Sequence, residues 1–392
     1  MTFLFQLGGD FWSNLLWLLI LIIFFNFYPR IMVSQLLWKL EKSATMLEGL
    51  MAEAKKIVMK KIEKKAGKGL KEKIDNFLEF FMIEPVSLDP FGIIKKLEHI
   101  SNLSEDKFKT FVKDIAKDLD KEEQANLMMG LSGAIALNQL VKVVRHYVET
   151  VRKTKNLQLG MVLEMQLPLI ERISKALLQG TEALINGWPI GDAAGCLVAA
   201  RLIGDSKPVE MEEDVVIAEK RINGKKVIIM KAKGPGGRLG KLGRATEKLV
   251  KKKKIEKIIT IDAAAKLEGE KTGKVAEGVG VAIGGIGVDR AYIEELATRK
   301  KIPLDSIVIK MSQEEAIQPM PEAVLKAIPT AVEKTEKSIK NSKGNILVVG
   351  VGNTCGVGND AKSAEKAEAE VRRVLKILKK REEKKKSFWD WF

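Results

Sequence analysis

Three glycine-rich runs bring together the residue types best suited to holding an anion. The first is KGPGGRLGKLGRA, residues 233–245. Gly234, Gly236, Gly237 and Gly240 let backbone N–H groups approach a ligand, and Arg238, Lys241 and Arg244 add positive charge. A helix starting here would add the partial positive charge of its N-terminus. The spacing departs from a Walker loop: Gly240-Lys241 is followed by Leu242, so the metal-binding hydroxyl is missing. The second run is EGVGVAIGGIGVD (277–289) and the third is VGVGNTCGVGND (349–360). Both contain G-x-G-x-x-x-G, as Gly278, Gly280 and Gly284 and as Gly350, Gly352 and Gly356, and both end in aspartate. Neither keeps the G-x-G-x-x-G spacing of a dinucleotide fold. Asn353 and Thr354 add polar side chains to the third run. The expected ligand is a nucleotide or another phosphorylated molecule. The competing reading is that these glycines only make tight turns and close helix–sheet contacts.

Between the first two runs lies IDAAAKLEGEKTGKVAEG, in which Asp262 closes an apolar strand. A strand end of this kind points into the ligand crevice of an open α/β sheet. Asp262 is therefore the candidate for holding Mg²⁺ against a phosphate or for acid–base work; a solvated charged loop is the alternative. Cys355 sits in the third glycine run, but neither histidine, His99 or His146, lies nearby in sequence to act as its base. Two cysteines and two histidines far apart make neither a disulfide framework nor a zinc site.

These runs need strands to carry them. VVIAEKRINGKKVIIMKA places Asn223-Gly224 between two β-branched stretches, a strong hairpin signal. KIITID (257–262), SIVIK (306–310) and NILVVGV (345–351) read as buried strands. Helical periodicity is expected over 240–253, 290–299, 322–340 and 361–380. Alternating strands and helices predict an α/β domain with a largely parallel sheet and an antiparallel hairpin edge. Upstream, amphipathic patterns at 70–83, 90–100, 104–119, 121–153 and 157–187 predict an all-helical region. Small residues in GWPIGDAAGCLVAARLIGD read as a packing helix, with Asp192 placed to cap its start.

The first thirty residues are of another kind. FWSNLLWLLILIIFFNFYP, between Asp10 and Arg30, has no charge. Nineteen residues at a rise of about 1.5 Å each reach roughly 28 Å, the thickness of a bilayer's hydrocarbon core. Trp12, Trp17, Phe27 and Tyr28 lie toward its ends, as interfacial rings do. Arg30, Lys39 and Lys42 follow, whereas no Lys or Arg precedes it. The positive-inside rule then puts the N-terminus outside and the bulk of the chain in the cytoplasm, at the cell membrane. No second span is expected, because Leu131–Val144 is short and includes Asn138, Gln139 and Lys142. Pro29 predicts a kink where a helix leaves the membrane. The expected organisation is an anchor (1–30), a juxtamembrane helix (31–69), a helical domain (70–206), an α/β domain (207–360) and a charged helix with an aromatic tail (361–392).

The net charge of +16 is concentrated. Lys55–Lys73 holds nine lysines against Glu63 and Glu72, and a second basic cluster surrounds Lys251–Lys254. Anionic lipid headgroups suit the first cluster and the Phe388, Trp389, Trp391, Phe392 tail, for which docking back onto the protein or onto a partner is the equal alternative. Nucleic acid or an acidic partner held at the membrane is the alternative function. No aromatic residues interleave with either cluster as base-stacking platforms would. Taken together, KGPGGRLGKLG, IDAAAKLEGEKTGKVAEGVGVAIGG, IKMSQEEAI and VVGVGNTCGVGN resemble an uncharacterised family of archaeal membrane-anchored proteins, a domain of unknown function. The resemblance covers most of the chain. It implies an archaeal source and a plasma-membrane location, and it implies no activity.

Overall fold

The structure, a computed structural model, describes residues 3–62, 69–85, 92–283 and 287–389. Gly284, Pro90, Lys64, Lys65, Lys68, Trp391 and Phe392 lie outside the described residues. Five helices come first: α1 (Phe3–Ile62), α2 (Leu70–Leu78), α3 (Ile93–Ile115), α4 (Lys121–Thr154) and α5 (Leu157–Asn186). The patterns at 90–100 and 104–119 thus belong to one helix, and the helix begun at Leu70 stops before the expected Ile83. A 3-10 turn (Gly191–Ala193) leads into α6 (Ala194–Ile203). Seven strands follow: β1 (Val209–Glu212), β2 (Val215–Ile222), β3 (Lys225–Ala232), β4 (Lys257–Ala265), β5 (Val275–Val279), β6 (Leu304–Met311) and β7 (Ile346–Gly350). Between them lie α7 (Leu242–Lys252), α8 (Val288–Lys300), α9 (Gln313–Ile317) and α10 (Glu322–Lys340), and α11 (Ala361–Trp389) closes the chain.

Two compact units divide the chain, residues 1–52 with 137–174 and residues 53–136 with 175–392. In the first, α1 buries Val33, Leu36, Leu40, Ala44 and Leu47, spaced three and four residues apart. Arg145 of α4 pairs with Glu41 and Glu48, and Arg152 pairs with Glu41, so the two helices run antiparallel. Lys39–Glu164 and Ser43–Glu171 show that α5 runs parallel to α1. α1 continues through Pro29 as one helix. Its N-terminal part is long and apolar enough to cross a membrane, and only 6% of that stretch is buried. By the same measure of length and composition α4 also qualifies, contrary to the expectation of a single candidate, because its apolar stretch is longer than Leu131–Val144. In α4, however, 44% of the stretch is buried, as suits a core helix.

The second unit holds one mixed sheet in the order β1-β2-β3-β7-β4-β6-β5. β3, β7, β4 and β6 are mutually parallel. The Asn223-Gly224 turn joins β2 to β3 with φ of 48° and 77°, the positive values a two-residue hairpin turn requires. β5 pairs antiparallel to β6 and forms the far edge. The parallel centre was expected; the antiparallel edge at β5 was not. Its residues Val275–Val279 lack the apolar run that marks the central strands, and most are exposed.

Alternation along the strands makes two cores. Ile229, Ile346, Val348, Ile259 and Ile261 face α6, α10 and α11. Ile228, Met230, Leu347, Val349 and Ile258 face α7 and α8. α6 reaches the sheet through small residues. A Cβ on its Gly195 would lie 2.3 Å from the carbonyl oxygens of Ile261 and Val351. The connections into β4 and β6 cover one face, whereas that into β7 covers the other, so β7 enters between β3 and β4. Crevices for ligands open at such switch points, outside the carboxyl ends of the strands.

Candidate functional site

Adjacent parallel strands deliver the first and third glycine runs to the same place. The two runs interlock. Gly356 N–H donates to Pro235 O (2.8 Å) and Thr354 N–H to Arg238 O (3.0 Å). Thr354 Oγ donates to Gly236 O (2.7 Å) and accepts the Arg238 N–H (3.2 Å). Gly234 packs so closely on Val357 that a Cβ would sit 1.8 Å from its carbonyl oxygen. Gly350 is also too close-packed for a side chain, its Cβ position 2.4 Å from the Ala199 Cβ of α6. Asn353 is buried; its N–H donates to Asp192 Oδ2 and its side chain accepts the Cys355 N–H, both at 2.8 Å.

Three of the N–H groups expected to receive an anion, those of Gly234, Gly236 and Gly237, are satisfied within the protein. Gly234 N–H donates to Asn359 Oδ1 (2.9 Å), Gly236 N–H to Glu122 Oε2 (2.6 Å) and Gly237 N–H to Asn126 Oδ1 (2.7 Å). The start of α7 is treated alike: Gly243 N–H donates to Asp289 Oδ1 at 2.7 Å. Arg238 is buried and pairs with Glu122 and, at 3.0 Å, with Asp214. Asp192 accepts from Asn353 rather than capping α6, whose N-cap Ala193 has no side-chain bond.

A cavity of about 620 Å³ opens at the strand ends in this unit. That volume suits a small ligand. Asp262, Gly352, Arg238, Gly240 and Lys241 all line it. The structure thus gathers parts of the first and third runs and Asp262 into one cavity; β4 runs on to Ala265, so Asp262 lies within the strand rather than closing it. Gly278 and Gly280 lie on the exposed side of β5 and its exit, with nothing within 4 Å of a Cβ placed on either. Among the described residues of the second run, Ile283 and Gly287–Asp289 reach the cavity.

The lining is more acidic than the first glycine run suggests. Glu98, Glu105, Asp192, Glu213, Asp214 and Asp289 join Asp262 against Arg238 and Lys241. Asp262 is 4% exposed and accepts the Ala263 N–H at 2.6 Å. Burial raises the carboxyls of Asp192, Asp214 and Asp289 above the usual range, partly opposed by the Asn353 N–H, Arg238 and the Gly243 N–H respectively. Asp192 and Asp262 both lie close enough to Cys196 to act on its thiol, which burial pushes up to about 12. Cys355 is likewise buried and pushed up to about 12, so neither cysteine is a ready nucleophile. Glu105, Glu213 and Asp214 bring carboxylate oxygens within 4.8 Å of one another. Lys109 already bridges Glu105 and Glu213 at 2.7 Å each. The cavity offers oxygen ligands of the hard type that Mg²⁺ takes.

Residues 14–187 match the model described as the DUF1512 N-terminal domain, a protein of unknown function. Residues 190–358 match the DUF1512 C-terminal domain of unknown function. The chain belongs to the DUF1512 family. No curated protein and no solved structure matches it. The two DUF1512 models part just before the 3-10 turn, so the C-terminal one includes α6 and the whole sheet. The cavity takes residues from both DUF1512 domains: Glu98 and Glu105 from the N-terminal one, Asp262 and Asp289 from the C-terminal one. That explains which residues were missed in the sequence. Asp289 carried a trace, as the aspartate ending the second run, whereas Glu98, Glu105 and Glu122 carried none.

Proposed function

We propose that this DUF1512 protein is a membrane-tethered ligand-binding protein whose cavity takes a nucleotide or other phosphorylated ligand as its Mg²⁺ complex. The observation that supports it most is Asp262, buried on β4 three residues before its end, in a cavity whose charged lining residues are mainly acids. Such a lining repels a bare phosphate and attracts a cation. A divalent ion reconciles the two, because Mg²⁺ is held by one or two carboxylates together with substrate phosphates and water. Asp262, with Asp192 beside it, would hold the ion, and Arg238 and Lys241 would face the phosphate. Mg²⁺ supplies charge neutralisation and orientation there; no reaction is proposed.

The apolar part of α1 is the proposed single-pass anchor, supported by its uncharged stretch and by Arg30, Lys39 and Lys42 on the side assigned to the cytoplasm. Carbonate extraction of membranes checks this: the chain should stay in the pellet, and release into the supernatant contradicts it. For the ligand, the full chain in detergent should unfold at higher temperature with some member of a nucleotide and phosphometabolite panel when Mg²⁺ is present. The same ligand in EDTA should give no rise. No rise across the panel, or an equal rise without metal, contradicts the proposal. The nucleic-acid alternative finds less support, since lysines around the second basic cluster are paired. Lys248 pairs with Glu212, Lys251 with Glu247, Lys253 with Glu219 and Lys254 with Glu256.

A further inference from the structure

The cradle built by the first glycine run already holds an anion, and that anion is the protein's own. Glu122 Oε2 accepts the Gly236 N–H at 2.6 Å and pairs with Arg238 Nη1; Arg238 Nη2 reaches Glu122 Oε1 at 3.3 Å. A backbone N–H beside a guanidinium fork is the donor set that phosphate takes. Gly236 permits the approach. A Cβ there would stand 2.5 Å from Glu122 Oε2 and 2.7 Å from Arg238 Nη1.

The two partners are held unequally. Arg238 is 9% exposed and fixed from several sides, by Asp214 at 3.0 Å and by the carbonyls of Lys121 (3.3 Å) and Lys233 (3.4 Å). The Glu122 side chain is 34% exposed and stands in the first turn of α4. Water can therefore take over the carboxylate, whereas the guanidinium has nowhere to go. Arg238 lines the same cavity as Asp262, so the cradle borders it.

We infer that Glu122 is a built-in competitor for phosphate: it occupies the Gly236–Arg238 cradle and yields it to a phosphate group of the ligand. The inference rests on the phosphorylated-ligand reading and adds where the phosphate goes and what it displaces. A phosphate brings more negative charge and more acceptor oxygens to the same donors, so the exchange keeps Arg238 paired.

Inorganic phosphate with Mg²⁺ present is the probe, titrated calorimetrically into the full chain in detergent. Glu122→Gln keeps the side chain's size and removes the competing charge. It should bind phosphate about tenfold tighter than the unaltered protein, as expected when a charged hydrogen-bonded competitor is lost. The gain should vanish in Glu122→Gln combined with Arg238→Met. Should Glu122→Gln fail to fold, Glu122→Asp, which withdraws the carboxylate by one methylene, should show a smaller gain. Equal affinity in the unaltered chain and the folded variant overturns the inference, as does no phosphate binding by either, or a gain that survives loss of Arg238. Stabilisation by a Mg²⁺–nucleotide with no effect of Glu122→Gln would leave the wider proposal standing and remove this one.

Discussion

The second and third glycine runs share one spacing, G-x-G-x-x-x-G, and have opposite surroundings. In the third, Gly350 and Gly352 sit where neighbouring backbone and side chains leave no room for a Cβ. In the second, Gly278 and Gly280 stand at the open edge of the sheet, where a Cβ would meet nothing within 4 Å. The difference comes from strand position. β7 lies at the centre of the sheet, between β3 and β4, under α6; β5 lies at the edge. A glycine pattern therefore marks where backbone can approach backbone or ligand, and the sheet order decides whether anything does. The third run is bound up with the first because their strands are neighbours, and that junction forms one wall of the acid-lined cavity.

Substitutions sharpen the contrast. Gly352→Ala should have the largest effect. Its φ is +116° and the new Cβ would lie 1.9 Å from the carbonyl oxygen of Asp192. A loss of about 4 kcal/mol or more is expected, in the range of strained, overpacked sites. Denaturant unfolding measures it, and a loss below about 1 kcal/mol would mean the junction is looser than described.

Lys231 comes next. It is fully buried beneath that junction and donates to Ala232 O (2.7 Å), Gly358 O (3.0 Å) and Asn359 Oδ1 (3.0 Å). Burial lowers its ammonium from 10.5 to about 8. Between these values the unfolded chain binds the proton and the folded one does not. The Lys231 contribution is therefore present above 10.5 and lost as pH falls through about 8. The difference in stability between the unaltered chain and Lys231→Met should change by about 3 kcal/mol across that window. A difference that does not vary with pH would show that Lys231 stays charged throughout. The smallest effect belongs to Gly278→Ala, at an open strand position: within about 0.5 kcal/mol of the parent, and stabilising if the unfolded chain's entropy dominates. A large loss there would erase the distinction between the two runs.

Local signals accounted for the centre of the fold. Asn223-Gly224 announced the β2–β3 hairpin, and the β-branched runs announced β3, β4, β6 and β7. β5 stayed hidden because an exposed edge strand containing Gly278 carries little apolar periodicity. The site was legible where one segment supplies it: Asp262 after an apolar run, although β4 continues past it to Ala265, and Arg238 and Lys241 in a glycine run. Its acidic character was not legible. Glu98 and Glu105 reach it from α3, and Glu122 meets the Gly236 N–H from 114 residues away in sequence. No local pattern encodes contacts of that range. The charge around the first glycine run misled for the same reason, since acids from distant elements face it.

Calorimetric titration of the best-stabilising nucleotide tests the central claim most directly, run on the unaltered chain and on Asp262→Asn, each with Mg²⁺ and with EDTA. Binding by the unaltered chain that requires Mg²⁺ and falls at least about tenfold in Asp262→Asn is the predicted result, since metal bound through carboxylates is lost with its ligand. Equal binding by both proteins, or binding that ignores the metal, would contradict the assignment of this acid-lined cavity to a metal-complexed phosphate.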